Sequence, residues 1–200
     1  MLDDVTMLVL ASGRGDRMGG PKALLAWTDG QPLAKVHASL AASVGSRAVV
    51  VVRASVASVL RPMMREPVVV ASSAPSSCGP AGSIAAAVRA GALTNTSWVM
   101  LMPVDCVPAS LSTLTLLCQL ACEGVDAVRP VHEGRGGHPV LVRADVLVHA
   151  YLTDRLRPLR DVISGLGCMD VHVGDVRVAA NLNTPEAYRA WVGHEPRFVG

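Results

Sequence analysis

Val5-Thr6-Met7-Leu8-Val9-Leu10-Ala11-Ser12-Gly13-Arg14-Gly15-Asp16-Arg17-Met18-Gly19-Gly20-Pro21-Lys22 changes character at Ser12. Val5–Ala11 is a short, unbroken apolar run, which reads as a strand buried on both faces. The glycine-rich stretch behind it is a loop carrying two cations, Arg17 and Lys22. A buried strand that empties into a charged glycine loop is the opening of a parallel α/β sheet, and the rest of the chain alternates accordingly.

Leu33–Val44 has helical spacing and stops at Gly45; Arg47–Val52 is a second Val-rich strand. Ser55–Met64 reads as a helix and Val68–Ala71 as a third strand. Gly79-Pro80 opens an Ala-rich helix through Ala90, and Trp98–Met102 is a fourth strand ending at Pro103. Ala109–Cys122 follows as a helix, then strands at Val125–Val131 and Pro139–Val142. Ala144–Leu166 is mostly helical with a break near Pro158, and Val171–Val173 and Val176–Val178 have the length of short strands. Thr184-Pro185-Glu186 starts a last helix, with Thr as the cap, Pro in the first turn and an acid beside it. The expectation is one α/β domain over 1–200, with an open, mostly parallel central sheet and helices on both faces. Ligands of such sheets bind beyond the carboxyl ends of the strands.

Composition narrows the partners. The 200 residues are 50% hydrophobic, 17% charged and 3% aromatic, with a formal net charge of +2. That charge is too small to draw the protein to nucleic acid or to a membrane surface, and no basic stretch carries aromatics. The start, Met1-Leu2-Asp3-Asp4, is acidic where a secretion signal is basic, and no apolar run is long enough to span a bilayer. A cytoplasmic protein is expected. The five cysteines, Cys78, Cys106, Cys118, Cys122 and Cys168, include no Cys-x-x-Cys pair. Cys118 and Cys122 share one helix face and read as apolar packing, not as metal ligands.

The first loop is built for phosphate. Small residues let backbone N–H groups approach anionic oxygens, and Arg17 and Lys22 add the positive charge a triphosphate needs as pyrophosphate departs. Neither of two common phosphate loops fits. In the P-loop pattern, Pro21 intrudes after Gly20 and Ala23 replaces the hydroxyl; in the dinucleotide fingerprint, Met18 stands where a third glycine belongs. Asp105, in Leu101-Met102-Pro103-Val104-Asp105, ends the fourth strand with the single carboxylate that Mg²⁺ takes alongside substrate phosphates. Gly79, Pro80 and Gly82 lie at a helix N-terminus, suited to a phosphate or a base edge. His138, after a second Gly-rich loop, reads on residue chemistry alone as a turn histidine. Asn181 and Asn183 share a strand face and offer amides to a ligand or to the metal site.

Ala11-x-Gly13-x-x-x-Arg17-Met18-Gly19-x-x-Lys22 resembles the signature loop of the molybdenum-cofactor nucleotidyltransferases, the molybdopterin guanylyltransferases and cytidylyltransferases. The Gly79-Pro80-x-Gly82, His138-Pro139 and Asn181-x-Asn183-Thr184-Pro185 elements follow in the family's order, so the resemblance spans nearly the whole chain. It implies a single-domain, Rossmann-like (GT-A-like) nucleotidyltransferase fold that moves a nucleoside monophosphate from Mg²⁺–NTP onto the terminal phosphate of molybdopterin. It further implies Arg17, Lys22 and Asp105 as catalytic residues, Asp105 holding Mg²⁺. Leu10, Ala11, Ser12, Gly13, Gly15, Gly79, Pro80 and Gly82 would contact the nucleotide, and His138, Asn181 and Asn183 the acceptor. The N-terminal part would then bind the nucleotide and the C-terminal part the acceptor, with a molybdoenzyme or its chaperone as a further partner.

The base is contested within the resemblance. Gly79-Pro80 and Asn-x-Asn lean to GTP. Lys22 after Pro21 is a cytidylyltransferase habit, and Ser12 stands where the two groups usually have Gly or Ala. GTP is the expectation and CTP the alternative. Sugar-1-phosphates and methylerythritol phosphate are alternative acceptors, disfavoured by His138-Pro139 and the asparagines. A nucleotide sensor or binding partner for a molybdoenzyme would keep the loop but need neither Asp105 nor turnover, and Arg17, Lys22 and Asp105 together argue against it; a Rossmann oxidoreductase would need the third glycine that this loop lacks.

Overall fold

The computed structural model describes residues 4–71, 79–121, 124–154 and 157–200. Strand β1 (Val5–Ala11) is buried at every position. Its alternate residues face opposite layers, as strand geometry requires. Val5, Met7, Val9 and Ala11 join one hydrophobic cluster, and Leu8 and Leu10 the other. This two-sided burial is why the run carries no polar alternation.

Around β1 lie β2 (Arg47–Val52), β3 (Val68–Val70) and β4 (Trp98–Pro103). They run parallel in the order β3-β2-β1-β4, with Ala11 opposite Val52 and Leu10 opposite Pro103. That register brings the carboxyl ends of β1, β2 and β4 level, which places the loops after them side by side. Beyond β4 the sheet becomes mixed. β7 (Val140–Arg143) pairs antiparallel with β4 and with β5 (Ala127–His132). β6 (Arg135–Gly136) closes a hairpin on β5, and β8 (Cys168–His172) runs parallel to β5. These eight strands form one sheet.

Helices cover both faces. α1 (Leu33–Ser43), α2 (Ala54–Leu60), α4 (Leu111–Leu120) and α7 (Pro185–Val192) contribute buried residues to the first cluster. α3 (Gly79–Arg89), α5 (Ala144–Thr153) and α6 (Leu159–Ser164) contribute to the second. Thr184 caps α7, its hydroxyl accepting from the Ala187 amide at 3.2 Å, as the sequence implies. No helix among the described residues is long and apolar enough to cross a membrane.

Some expected elements shift. The α2 segment tightens into a 3-10 turn at Arg61–Met63, where Pro62 supplies no amide to continue the α-helix. Val176–Val178 is not a strand but part of a 3-10 turn, Val176–Ala179. The Asp175 carboxylate accepts from the Arg177 amide and caps this turn, while the alternation of exposed Val176 with buried Val178 imitates a strand. The eighth strand begins at Cys168, three residues before the expected Val171. Cys118 is buried on α4 as packing; Cys122 and Cys78 lie outside the described residues.

Candidate active site

The glycine loop after β1 is held by its own backbone. Gly15 adopts φ +73°, and its carbonyl accepts from the Met18 amide at 2.8 Å and the Gly20 amide at 3.3 Å. A Cβ on Gly15 would lie 1.8 Å from the Gly20 carbonyl oxygen, so only glycine permits this fold-back. A short 3-10 turn, Lys22–Leu24, follows and brings Lys22 to the cleft above the strand ends. The far end of the chain braces this segment. The Ala26 amide donates to the Arg197 carbonyl, the Val199 amide to the Leu24 carbonyl, and the Tyr188 hydroxyl to the Ala26 carbonyl.

A cleft of about 840 Å³ opens above the carboxyl ends of β1, β2 and β4. Leu10, Ser12, Gly13, Gly15, Arg17 and Lys22 line it from the first loop, Gly79, Pro80 and Gly82 from the start of α3, and Asp105 from the turn after β4. Ala11 lies beneath, buried at the end of β1. The Ser12 and Ser83 hydroxyls meet at 2.6 Å and tie the first loop to α3.

At the centre, Lys22 Nζ donates to Asp105 Oδ2 at 3.0 Å and to Asn183 Oδ1 at 2.5 Å. The side chains of Lys22 and Asp105 are 15% and 31% exposed, so the charges are half-sheltered yet reachable from the cleft. Three residues far apart in sequence thus share one point. Asn183 arrives there through backbone pairing: the Leu182 amide donates to the Asp105 carbonyl at 2.6 Å, and the Val107 amide to the Ala180 carbonyl at 3.1 Å. Asn181 meets the same turn through its side chain, its Oδ1 accepting from Cys106 Sγ at 3.3 Å. Cys106 is buried beside this seam. Burial first, and the Asp105 charge second, push its thiol well above the usual range.

His138 stands at the opening of β7, on a cis bond to Pro139, with its amide donating to the Val178 carbonyl at 2.8 Å. Burial lowers its pKa, while the Asp105 charge acts in the opposite direction. Its buried Nδ1 makes no hydrogen bond within the described residues. Another histidine, His37 on α1, is wholly buried. Burial holds its pKa down at about 4, against the raising effects of the Val104 and Cys106 backbone and of Asp105.

The residue-level reading missed part of the cleft. Arg53, Ala54, Ser55 and Ala71 line its far wall. Arg53 is the first residue after β2, so the rule that ligands sit beyond strand ends could have pointed to it; no motif did.

With this geometry in place, comparison with known proteins gives the family. Residues 7–168 match the MobA-like NTP transferase domain. A probable molybdenum cofactor guanylyltransferase of Bacillus mycoides is 25% identical over 189 residues, covering 90% of this chain and 92% of that one. A crystal structure of Rv0371C from Mycobacterium tuberculosis, in complex with manganese, superposes with a TM-score of 0.73 at 20% identity, covering 95% and 98% of the two chains. The molybdopterin-guanine dinucleotide biosynthesis protein A of Archaeoglobus fulgidus superposes with a TM-score of 0.64 at 17% identity, covering 94% and 97%. The chain belongs to the MobA-like NTP transferase domain family, and it is a nucleotidyltransferase with that family's α/β fold.

Proposed function

We propose that this protein is a molybdenum cofactor guanylyltransferase: it joins GMP from GTP to the terminal phosphate of molybdopterin and releases pyrophosphate. The observation that carries this reading is the convergence of Lys22, Asp105 and Asn183 on one point in a cleft lined by Arg17 and the first glycine loop. The name of the Bacillus relative supports the acceptor.

The donor set suits a hard divalent cation. Asp105 Oδ2 and Asn183 Oδ1 already converge on one positive charge, the Lys22 ammonium. Among the described residues no three His, Cys, Asp or Glu side chains gather into a metal cage. One carboxylate completed by substrate phosphates and water is an ordinary way to hold Mg²⁺, and the Asn183 amide oxygen lies beside it. Manganese in the mycobacterial neighbour supports a divalent ion here, and Mg²⁺ is our assignment. When bound, the ion supplies charge neutralisation across the triphosphate.

This chain's own residues do the rest. The amides of the first loop and Arg17 hold the triphosphate in line. An oxygen of the acceptor's phosphate attacks the α-phosphorus as the bond to pyrophosphate breaks. Lys22 and Arg17 stabilise charge on the phosphorus centre and on the leaving group. His138 and Asn181, from the C-terminal part, bind the acceptor. A molybdoenzyme or its chaperone receives the product.

We read Arg53 as the contact to the base. It lines the cleft just after β2, which lies two strands from β4 in the sheet. A guanidinium matches guanine O6 and N7 as a pair of acceptors. The CTP reading keeps one observation, Lys22 following Pro21.

The test is purified protein with each of the four NTPs, Mg²⁺ and molybdenum cofactor, following dinucleotide and pyrophosphate. Guanine dinucleotide is expected, and Arg53→Ala should reduce the GTP-over-CTP preference by about tenfold or more, the size of one bidentate base contact. Product from CTP alone overturns the base assignment. Product from a sugar-1-phosphate but none from molybdopterin overturns the acceptor.

A further inference from the structure

The Lys22 ammonium and a divalent ion compete for the same oxygen. Lys22 Nζ is 3.0 Å from Asp105 Oδ2 and 2.5 Å from Asn183 Oδ1, so it fills the space between the two donors that a metal would use. Two cations cannot share that gap without strong repulsion. The contact is also well fixed. The 3-10 turn at Lys22–Leu24 sets the lysine backbone, the Leu10 carbonyl accepting from the Val104 amide sets the Asp105 turn, and the Leu182–Asp105 backbone bond sets Asn183. Lys22 nevertheless lines the open cleft, beside the first-loop backbone that would cradle a triphosphate.

We propose that Lys22 is a placeholder cation that makes metal entry depend on nucleotide. The lysine holds the position between Asp105 and Asn183 against a bare metal ion. A triphosphate offers the ammonium new anionic oxygens, draws it off Asp105, and releases the carboxylate and the amide to the incoming ion. The same side chain that excludes the metal then serves the phosphates. Metal and nucleotide therefore bind with positive coupling, and that coupling resides in the charge of Lys22. The inference rests on the reading of Asp105 as the metal carboxylate.

The test measures Mn²⁺ held by the full chain in equilibrium dialysis, with and without guanosine α,β-methylene triphosphate at the same free concentration on both sides, so that Mn²⁺ chelated by the free analogue cancels. Wild type, Lys22→Met, Lys22→Arg and Asp105→Asn are compared. Without nucleotide, Lys22→Met should bind Mn²⁺ about tenfold or more tightly than wild type, while Lys22→Arg, which keeps the charge, should stay as weak as wild type. Adding the analogue should tighten Mn²⁺ binding to wild type by a similar factor and change Lys22→Met much less. A Lys22→Met protein that binds bare Mn²⁺ no better than wild type overturns the placeholder role. If wild type still binds Mn²⁺ with the analogue, and Asp105→Asn does not, the metal assignment survives that failure. If wild type binds no Mn²⁺ even with the analogue, or Asp105→Asn binds it equally well, both the placeholder and the metal carboxylate are overturned.

Discussion

The two halves of the sheet reach the cleft by different routes. In the parallel half, β3-β2-β1-β4, the strands nearest the site are sealed on both faces, and the site residues lie at strand ends, in the loops behind them or at the start of the following helix. In the mixed half, β8 is largely exposed along its length, and nothing in β5 to β8 lines the cleft directly. Its residues arrive through stitching: His138 by its amide on Val178, Asn181 and Asn183 by backbone bonds to the turn carrying Asp105. In the proposed reading, strand-end loops on a parallel core would set the phosphate chemistry locally, and the acceptor side would be an arrangement docked onto it.

That contrast can be broken at its strong end first. Asp105→Ala and Lys22→Ala should each lower kcat by about 10²–10³-fold with melting temperature little changed, since each removes a preorganised charge from the transition state. Near-normal turnover in both would mean the parallel half does not carry the chemistry.

The next effect is on stability. His37 packs beneath the Asp105 turn with a folded-state pKa of about 4 against an ordinary 6.5. Between those values the unfolded chain binds a proton that the folded chain excludes. Stability contributed by the neutral ring is therefore present near pH 7, is lost as pH falls from about 6.5, and stops falling below about 4. The loss is on the order of 3 kcal/mol across that window. Urea unfolding at pH 7 and pH 4.5 of wild type and His37→Leu checks it. The variant should show a clearly flatter pH dependence, and equal slopes would refute a neutral buried imidazole.

The smallest effect belongs to the docked half. His138→Ala should raise KM for the molybdopterin acceptor several-fold, on the order of 1 kcal/mol for one lost hydrogen bond, while KM for GTP stays put. A matching rise in KM for GTP would erase the division between the halves.

The strand ends were legible because their signals are local. An apolar run followed by a glycine loop needs no distant partner to be read, and β1, β2 and α3 begin where the pattern put them. Val176–Val178 misled because hydrophobic alternation does not register a side-chain cap; the Asp175 carboxylate decided for a turn. Arg53 escaped because one arginine after a strand carries no motif.

By itself, the sequence determined the order of elements, the two-sided core and the chemical types gathered in each loop, since periodicity and small-residue turns are properties of neighbouring residues. Only the tertiary structure decided that Lys22, Asp105 and Asn183 meet. The bonds joining them span 83 and 161 positions, and contacts at that separation are fixed by strand register and by backbone seams between segments. No local pattern encodes those.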